Sequence, residues 1–486
     1  MRFTNIEIHS HRDLNNLKPI VLMMQRKKIS KISLAAAIAA LLASNVALAQ
    51  GADPSETALP AADYFAATQY TDAAAPLNSY GAVDVQANVA EHLQVPTAPA
   101  EAGGVDGIPS TLAEQWPQHV LFAPKLQAKS YILVDGTTGQ ILAAHKANLR
   151  MAPASITKLM LLYIAEQKLA NGSISLDSKV QVPRVAWHTG GSRMFLKPGS
   201  YVTVKDLLQG VIVESGNDAA VTLANYIAGS QSSFVSMMNA MAVQFKMKNT
   251  HFTDVMGLPA PAHFSTAYDL SLLGQHVMND YPQYFHWYAQ KDFEYNGIRQ
   301  PNFNRLLFTY KYATGMKTGS TKAAGYSLVS SAEMPGNPMK LVAVVLGTKS
   351  LNDVASESKS LLTYGFRFFK QQTLFANNDK LSEQRVWGGQ QDKVSVGVSH
   401  PLTLVLPASV DAKQLESSLK FDGNIKAPVT KGEKLGQLTV TYKGKVIQSE
   451  PLVALNGVEQ GGLFTRMTAS VSLYFHNLLA SHDIHV

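Results

Sequence analysis

The chain has 486 residues, 46% hydrophobic and 16% charged, an ordinary globular balance for a protein of two or three domains. It contains no cysteine, which excludes disulfides, thiolate nucleophiles and cysteine-bound metals. The formal charge of +7 sits mostly in residues 1–49, with seven Lys/Arg and two acids, so the remainder carries +2 and gives no reason to expect a nucleic-acid partner.

In chain order, Arg26, Lys27, Lys28 and Lys31 precede an apolar run, Leu34–Ala43, and the triplet Ala47-Leu48-Ala49. A positive region, a short apolar core and a small-x-small cleavage site predict a secretory signal over 1–49, too short to span a bilayer. The first residues are unlike a signal start, which points to initiation at Met23 or Met24. Residues 50–127, rich in Ala, Pro, Gly, Asp and Thr without periodicity, read as a flexible spacer.

Folded structure is expected from 128 to 376. Ser130–Asp135 reads as a buried strand, Gly136 and Gly139 bound a turn, and Ile141–Ala144 starts the return strand. Helices are predicted at Ile156–Lys168, Val204–Val213, Asp218–Ala228 and Ala267–Met278, the last opened by Thr266 with Asp269 three residues on. Strands at Tyr326–Ala332 and Leu341–Leu346 and a helix at Ser356–Phe368 follow. This order predicts an α+β layer, helices against a mainly antiparallel sheet.

Beyond 376 the pattern changes. Short strands at Val394–Val398, Leu402–Leu406, Leu419–Phe421, Leu435–Tyr442 and Lys445–Gln448, separated by turn residues, predict a small all-β domain over 377–461. In 462–486, Leu463, Phe464, Met467, Val471, Tyr474, Phe475, Leu478 and Leu479 recur at helical spacing with few charges between them. Such an amphipathic helix can dock on the protein or lie in a membrane interface; its place after a complete domain favours the membrane.

Three short motifs carry chemistry. Ser155 and Lys158 lie three residues apart at a helix start, on one face. A serine needs a base to become a nucleophile, and a lysine can be that base once burial or nearby cations lower its pKa from about 10.4. A helix N-terminus also offers free N–H groups to a developing oxyanion. Ser-x-x-Lys alone is more often an N-cap and a solvated lysine. Ser215-Gly216-Asn217 could relay a proton through Ser215 and bind a substrate amide through Asn217, though alone it is usually a turn. In Lys317-Thr318-Gly319 the lysine sharpens the electrostatics, Thr318 can bind a carboxylate, and Gly319 lets a ligand backbone approach the strand. The gaps of 60 and 102 residues place the motifs on a helix start, an interhelical loop and a strand, in the order found in serine β-lactamases and penicillin-binding proteins.

From about Ser130 onward the chain resembles the low-molecular-mass penicillin-binding proteins, the D-alanyl-D-alanine carboxypeptidases (peptidase S11 type) of Gram-negative bacteria. The likeness includes Met194–Gly199, Glu214–Asp218, Asn249–Phe252, Asn296–Gln300 and Tyr364–Phe369. It implies a β-lactamase/transpeptidase-like fold and removal of the terminal D-alanine from peptidoglycan stem pentapeptides ending in D-Ala-D-Ala. Ser155 would attack, Lys158 would accept its proton, and Ser215 would pass a proton to the leaving D-alanine. The N–H groups of Ser155 and Ser320 would form the oxyanion hole, and Asn217, Lys317 and Thr318 would hold the substrate. β-Lactam antibiotics should acylate Ser155, and no metal or cofactor is implied. The resemblance also implies a location on the periplasmic face of the inner membrane, with residues 462–486 on the outer surface of that membrane.

The chain departs from the family pattern at Ser320, where histidine is common, and at Val354, where a basic residue assists carboxylate binding; Arg193 is a candidate substitute. A serine β-lactamase and a non-catalytic wall-binding protein are the alternative readings. His251, His263 and His476 lack metal-ligand spacing and are expected in loop or packing roles. Trp187 is expected as a pocket wall or core residue.

Overall fold

A computed structural model describes residues 108–116, 123–322 and 324–480; the secretory signal and most of the spacer lie outside the described residues. The spacer's last part differs from expectation. Helix α1 (Leu112–Gln115) is a single turn closed by a capping box between Thr111 and Glu114. Ile108, Leu112 and Trp116 are buried, so this stretch belongs to the folded unit. Three apolar side chains at four-residue spacing are the signal that its Ala/Pro-rich surroundings mask.

Strands β1 (Ser130–Asp135) and β2 (Ile141–His145) form the expected hairpin, with Gly139 at φ +72° in its turn. Helices α2 (Lys158–Ala170), α3 (Val204–Val213), α4 (Asn217–Ala228), α5 (Gln231–Gln244) and α6 (Ala267–Asn279) then build the helical part. Strands β3 (Ala313–Thr321), β4 (Gly325–Glu333) and β5 (Lys340–Thr348) return to the sheet, and α7 (Leu351–Phe368) follows, opened by the Ser350 cap. The sheet is antiparallel throughout, in the order β2-β1-β5-β4-β3.

The period-two rule sorts this sheet's side chains into two cores. Ile132, Val134, Val329, Val342 and Val344 face the helical part, whereas Leu133, Leu328, Leu341, Ala343 and Val345 face α7. Strand β3 forms one edge and packs against the turn that precedes α2. The edge carrying Lys317-Thr318-Gly319 therefore runs beside Ser155.

The C-terminal domain begins earlier than residue 377, because β6 (Phe369–Phe375) continues directly from α7 and pairs with β9 (Leu402–Pro407). Between them lie β7 (Lys380–Trp387) and β8 (Lys393–Gly397); β10 (Leu415–Phe421), β11 (Ile425–Lys426), β12 (Lys434–Tyr442) and β13 (Lys445–Ala454) follow. These give a six-stranded sheet in the order β10-β12-β13-β8-β7-β11. The α7-side core continues into this domain through Phe369, Leu402, Val394 and Leu438. Helix α8 (Leu463–Ala480) ends the described chain.

Candidate active site

Ser155 sits in a tight 3-10 turn (Ala154–Thr157) that leads into α2, and Lys158 is the first α-helical residue. Ala154 is held at φ +51°, a conformation non-glycine residues rarely adopt. Gly257 packs so closely on the Ala154 carbonyl that no side chain fits there. The three-residue spacing brings the fully buried Lys158 Nζ within 2.9 Å of Ser155 Oγ. The same amine donates to the Met256 carbonyl at 3.3 Å and to Ser215 Oγ at 3.4 Å.

Ser215 ends the loop between α3 and α4 at φ +56°, the kind of strained backbone that persists only where its surroundings fix it. Its carbonyl accepts from Ser192 Oγ at 2.7 Å, and the Asn217 N–H donates to the Ser192 carbonyl at 2.8 Å. Asn217 Nδ2 donates to the Gly190 carbonyl, which fixes the amide; its Oδ1 is buried without a protein partner. A substrate N–H would satisfy that acceptor.

Lys317 is almost fully buried, and its Nζ donates to the Thr318 carbonyl at 3.3 Å. A Cβ on Gly319 would lie 2.7 Å from the Pro153 carbonyl and 3.1 Å from the Ser155 nitrogen. Only glycine allows the edge strand to run this close to the nucleophile's backbone. Ser320 follows on the same strand, exposed. Ser155, Lys158 and Ser215 are thus linked by hydrogen bonds, Gly319 lies against the nucleophile's backbone and Lys317 repels Lys158, while Asn217 starts α4 and Thr318 and Ser320 flank Gly319 on the edge strand.

Burial of two ammonium groups side by side is costly, and both respond by losing proton affinity. Lys158 lies well below its ordinary value, first through burial and then through repulsion from Lys317; Asp254 and Asp218 oppose the shift. Burial lowers Lys317 to about 7. Both shifts favour the neutral amine, the form in which Lys158 can accept a proton from Ser155.

Several supporting groups are absent from the sequence motifs. Asp254 accepts from the N–H groups of Met256 and Gly257, both at 2.6 Å, folding the loop whose Met256 carbonyl holds Lys158. Its carboxyl lies below the usual range despite burial, through His263 and these N–H groups. His263 is buried; Nε2 lies 2.8 Å from Thr157 Oγ1 and Nδ1 lies 3.0 Å from Thr253 Oγ1, so it ties that loop to the nucleophile's turn. Asp218 accepts from the Met194 and Leu196 N–H groups at 2.8 and 3.0 Å, securing the loop that carries Ser192. An acidic residue two or three positions before a glycine turn was the available signal for Asp254; nothing local marks Ser192.

His251 anchors a loop, with Nδ1 2.7 Å from the Ala262 carbonyl, and His476 lies beyond the described side chains. Among the described residues no cluster of His, Asp and Glu could hold a metal. Trp187 is 47% exposed and stacks edgewise on His188, so it is not a core residue. Val354 is buried among the apolar side chains beneath α7, so its position serves packing. Arg193 is half-buried, and its carbonyl accepts from Gln300.

Residues 118–350 match the family profile of peptidase S11, D-alanyl-D-alanine carboxypeptidase, and residues 369–460 match that of the penicillin-binding protein 5 C-terminal domain. D-alanyl-D-alanine carboxypeptidase DacC of Escherichia coli is 41% identical over 367 residues, spanning 74% of this chain and 91% of the relative. DacA of the same species is 38% identical over 73% of this chain and 89% of its own length. Penicillin binding protein 5 from Haemophilus influenzae superposes with a TM-score of 0.67 at 37% identity, over 70% of this chain and all of that structure. With both domains matched and the catalytic motifs converging as described, the chain belongs to the peptidase S11 family of D-alanyl-D-alanine carboxypeptidases, the low-molecular-mass penicillin-binding proteins.

Proposed function

We propose that this protein removes the terminal D-alanine from peptidoglycan stem pentapeptides through an acyl-enzyme on Ser155. The observation that carries the reading is the fully buried Lys158 amine 2.9 Å from Ser155 Oγ. In its neutral form Lys158 takes the hydroxyl proton as Oγ attacks the carbonyl between the two D-alanines. Charge develops on the carbonyl oxygen, where the Ser155 N–H at the turn and the Ser320 N–H on β3 would be the donors. The proton passes from Lys158 through Ser215 Oγ, 3.4 Å away, to the leaving amine. The C–N bond breaks, free D-alanine departs, and water attacks the ester as Lys158 accepts its proton, which returns to Ser155 Oγ when the acyl C–O bond breaks and the shortened peptide leaves. Lys317 and Thr318 would hold the terminal carboxylate, Gly319 would admit the substrate backbone, and Asn217 Oδ1 would accept a substrate N–H.

β-Lactams present a strained amide to the same groups and should acylate Ser155. The match to carboxypeptidases over 91% of their length, C-terminal domain included, favours this reading over a β-lactamase. We further assign export to residues 1–49 and attachment to the outer surface of the inner membrane to residues 462–486. No described helix is long and apolar enough to cross a membrane. On α8, however, Leu463, Phe464, Met467 and Tyr474 are all more than half exposed on one side, as an interfacial helix requires.

The test is release of D-alanine from a D-Ala-D-Ala peptide, together with mass spectrometry of penicillin-treated protein. A penicilloyl adduct on Ser155, and loss of both activities in Ser155→Ala by a thousandfold or more, are expected. Full turnover by that variant, or an adduct on another residue, would overturn the assignment.

A further inference from the structure

Helix α8 has two distinct sides. Arg466, Ala469, Ser470 and Leu473 recur at three- and four-residue spacing and share one face. That face lies over the end of β7: Gly388 approaches Ala469 and Arg466 closely, and Leu473 is buried. Leu463, Phe464, Met467 and Tyr474 lie on a neighbouring face and are exposed. Between the docked face and the sheet domain is a cleft of ≈ 350 Å3, lined by Trp387, Lys426, Gln460, Arg466 and Tyr474 among others.

The cleft's charge is one-sided. Lys426 and Arg466 both line it, and no Asp or Glu does. Neither cation forms a salt bridge among the described residues, although the exposed Lys380, Lys393 and Arg299 do. A third cation, Arg385, stacks 3.9 Å from the centre of the Trp387 ring. Two cations, an amide, a serine hydroxyl and aromatic walls thus sit beside an exposed apolar helix face. A headgroup with a phosphodiester would meet the cations while its acyl chains followed Phe464 and Met467 into the bilayer.

We infer that this cleft is a binding site for the headgroup of an anionic phospholipid. The inference rests on the membrane reading of residues 462–486. It adds that the C-terminal sheet domain, through Lys426 and Trp387, selects the lipid and sets the helix's seat on the surface. A lipid is favoured over free phosphate because the cationic cleft is continuous with the exposed apolar face.

The experiment uses the full mature chain and monomeric dihexanoylphosphatidylglycerol, titrated below its micelle concentration by calorimetry. The wild type should bind saturably, and Lys426→Gln/Arg466→Gln should bind about thirtyfold more weakly, at roughly fivefold per cation. A control with two exposed lysines elsewhere in the domain replaced, Lys420→Gln/Lys434→Gln, should bind like the wild type. An unchanged circular dichroism spectrum and denaturant midpoint certify the fold of each variant. No wild-type binding, equal loss in the control, or equally tight binding of inorganic phosphate would overturn the proposal. Phe464→Ser/Met467→Ser, assayed by sedimentation with phosphatidylglycerol vesicles, tests the membrane reading separately. It should abolish vesicle binding while leaving the short-chain titration intact, so the two readings can fail independently.

Discussion

The peptidase region and the C-terminal sheet domain use the same apolar alternation but treat polar side chains in opposite ways. All the buried polar and charged side chains among the described residues fall between Ser130 and Ser358. They include Lys158, Lys317, Glu166, Glu214, Asp218 and Asp269, each a group that water would solvate better. From Phe369 to Leu473 the buried residues are apolar, and the charged groups stand on the surface, several in exposed ion pairs. One region spends stability on preorganised charge; the other contributes packing without that cost. The contrast locates chemistry on the helical side of the five-stranded sheet and support in the core that α7 shares with the C-terminal domain.

The largest expected effect follows from Lys158. Lys158→Met should slow acylation by penicillin about a thousandfold, since the base is gone. The same variant should be more stable by about 1–2 kcal/mol in thermal melts at neutral pH, because the unfolded lysine is protonated and must lose that proton to be buried, a cost the apolar side chain does not carry. A basic group whose folded pKa is depressed destabilises most at low pH, and the penalty fades as pH rises towards the unfolded value. The stability gain should therefore shrink between neutral and alkaline pH. A destabilised Lys158→Met would break the contrast.

Wild-type kinetics should show the two lysines separately. The rate of acylation rises with pH as Lys158 becomes neutral, while KM rises above about pH 7 as Lys317 loses the charge that holds the carboxylate. A KM that stays flat from pH 6 to 9 would remove Lys317 from carboxylate binding.

In the sheet domain, Leu438→Ala should cost about 2–5 kcal/mol, measured by denaturant unfolding, since Leu438 is fully buried. Below its melting temperature the variant should still label with penicillin at the wild-type rate. A large fall in that rate would show that the two regions are coupled in chemistry as well as in packing.

Glu166 gives a pH-dependent effect. Burial raises its carboxyl to about 8, and Tyr288 OH donates to Oε1 at 2.8 Å while Oε2 has no partner. An acid with a raised folded pKa loses stability as pH climbs from about 4.5 to about 8. Glu166→Gln should be indistinguishable from wild type near pH 4 and more stable by up to about 5 kcal/mol near pH 8. A constant difference across that range would mean Glu166 does not titrate where its burial places it.

Much of this was legible in the sequence where periodicity is strong. Ser130–Asp135 and Val204–Val213 have the expected limits, because their apolar runs end at turn or cap residues. Helix α5 escaped notice: its buried stripe is only Phe234, Met238 and Ala242 amid serines and methionines. Strand β6 reads as loop, since Lys370, Gln371 and Gln372 have no apolar period and pair only through β9. Helix α7 starts earlier than Ser356 because Ser350 caps it, accepting from the Asp353 N–H. At the site, the eight motif residues were visible because their chemistry needs fixed side chains at fixed spacing. Ser192, Met256 and His263 were not, because they act through contacts across 23 to 106 residues that leave no local pattern.

The one-turn helix at the start of the described chain has a consequence for the order in which the protein can be completed. Leu112 packs in the core shared with the sheet domain, Trp116 lies 4.6 Å from the Tyr442 ring, and Lys445 Nζ donates to the Gln115 carbonyl. Those partners stand more than three hundred residues downstream. The segment also packs against β2, so part of its seat exists once the peptidase sheet has formed, whereas its contacts with β12 and β13 can close only when that hairpin has folded. The segment thus bridges the peptidase sheet and the C-terminal hairpin, and a chain lacking residues 108–116 should hold that hairpin less firmly.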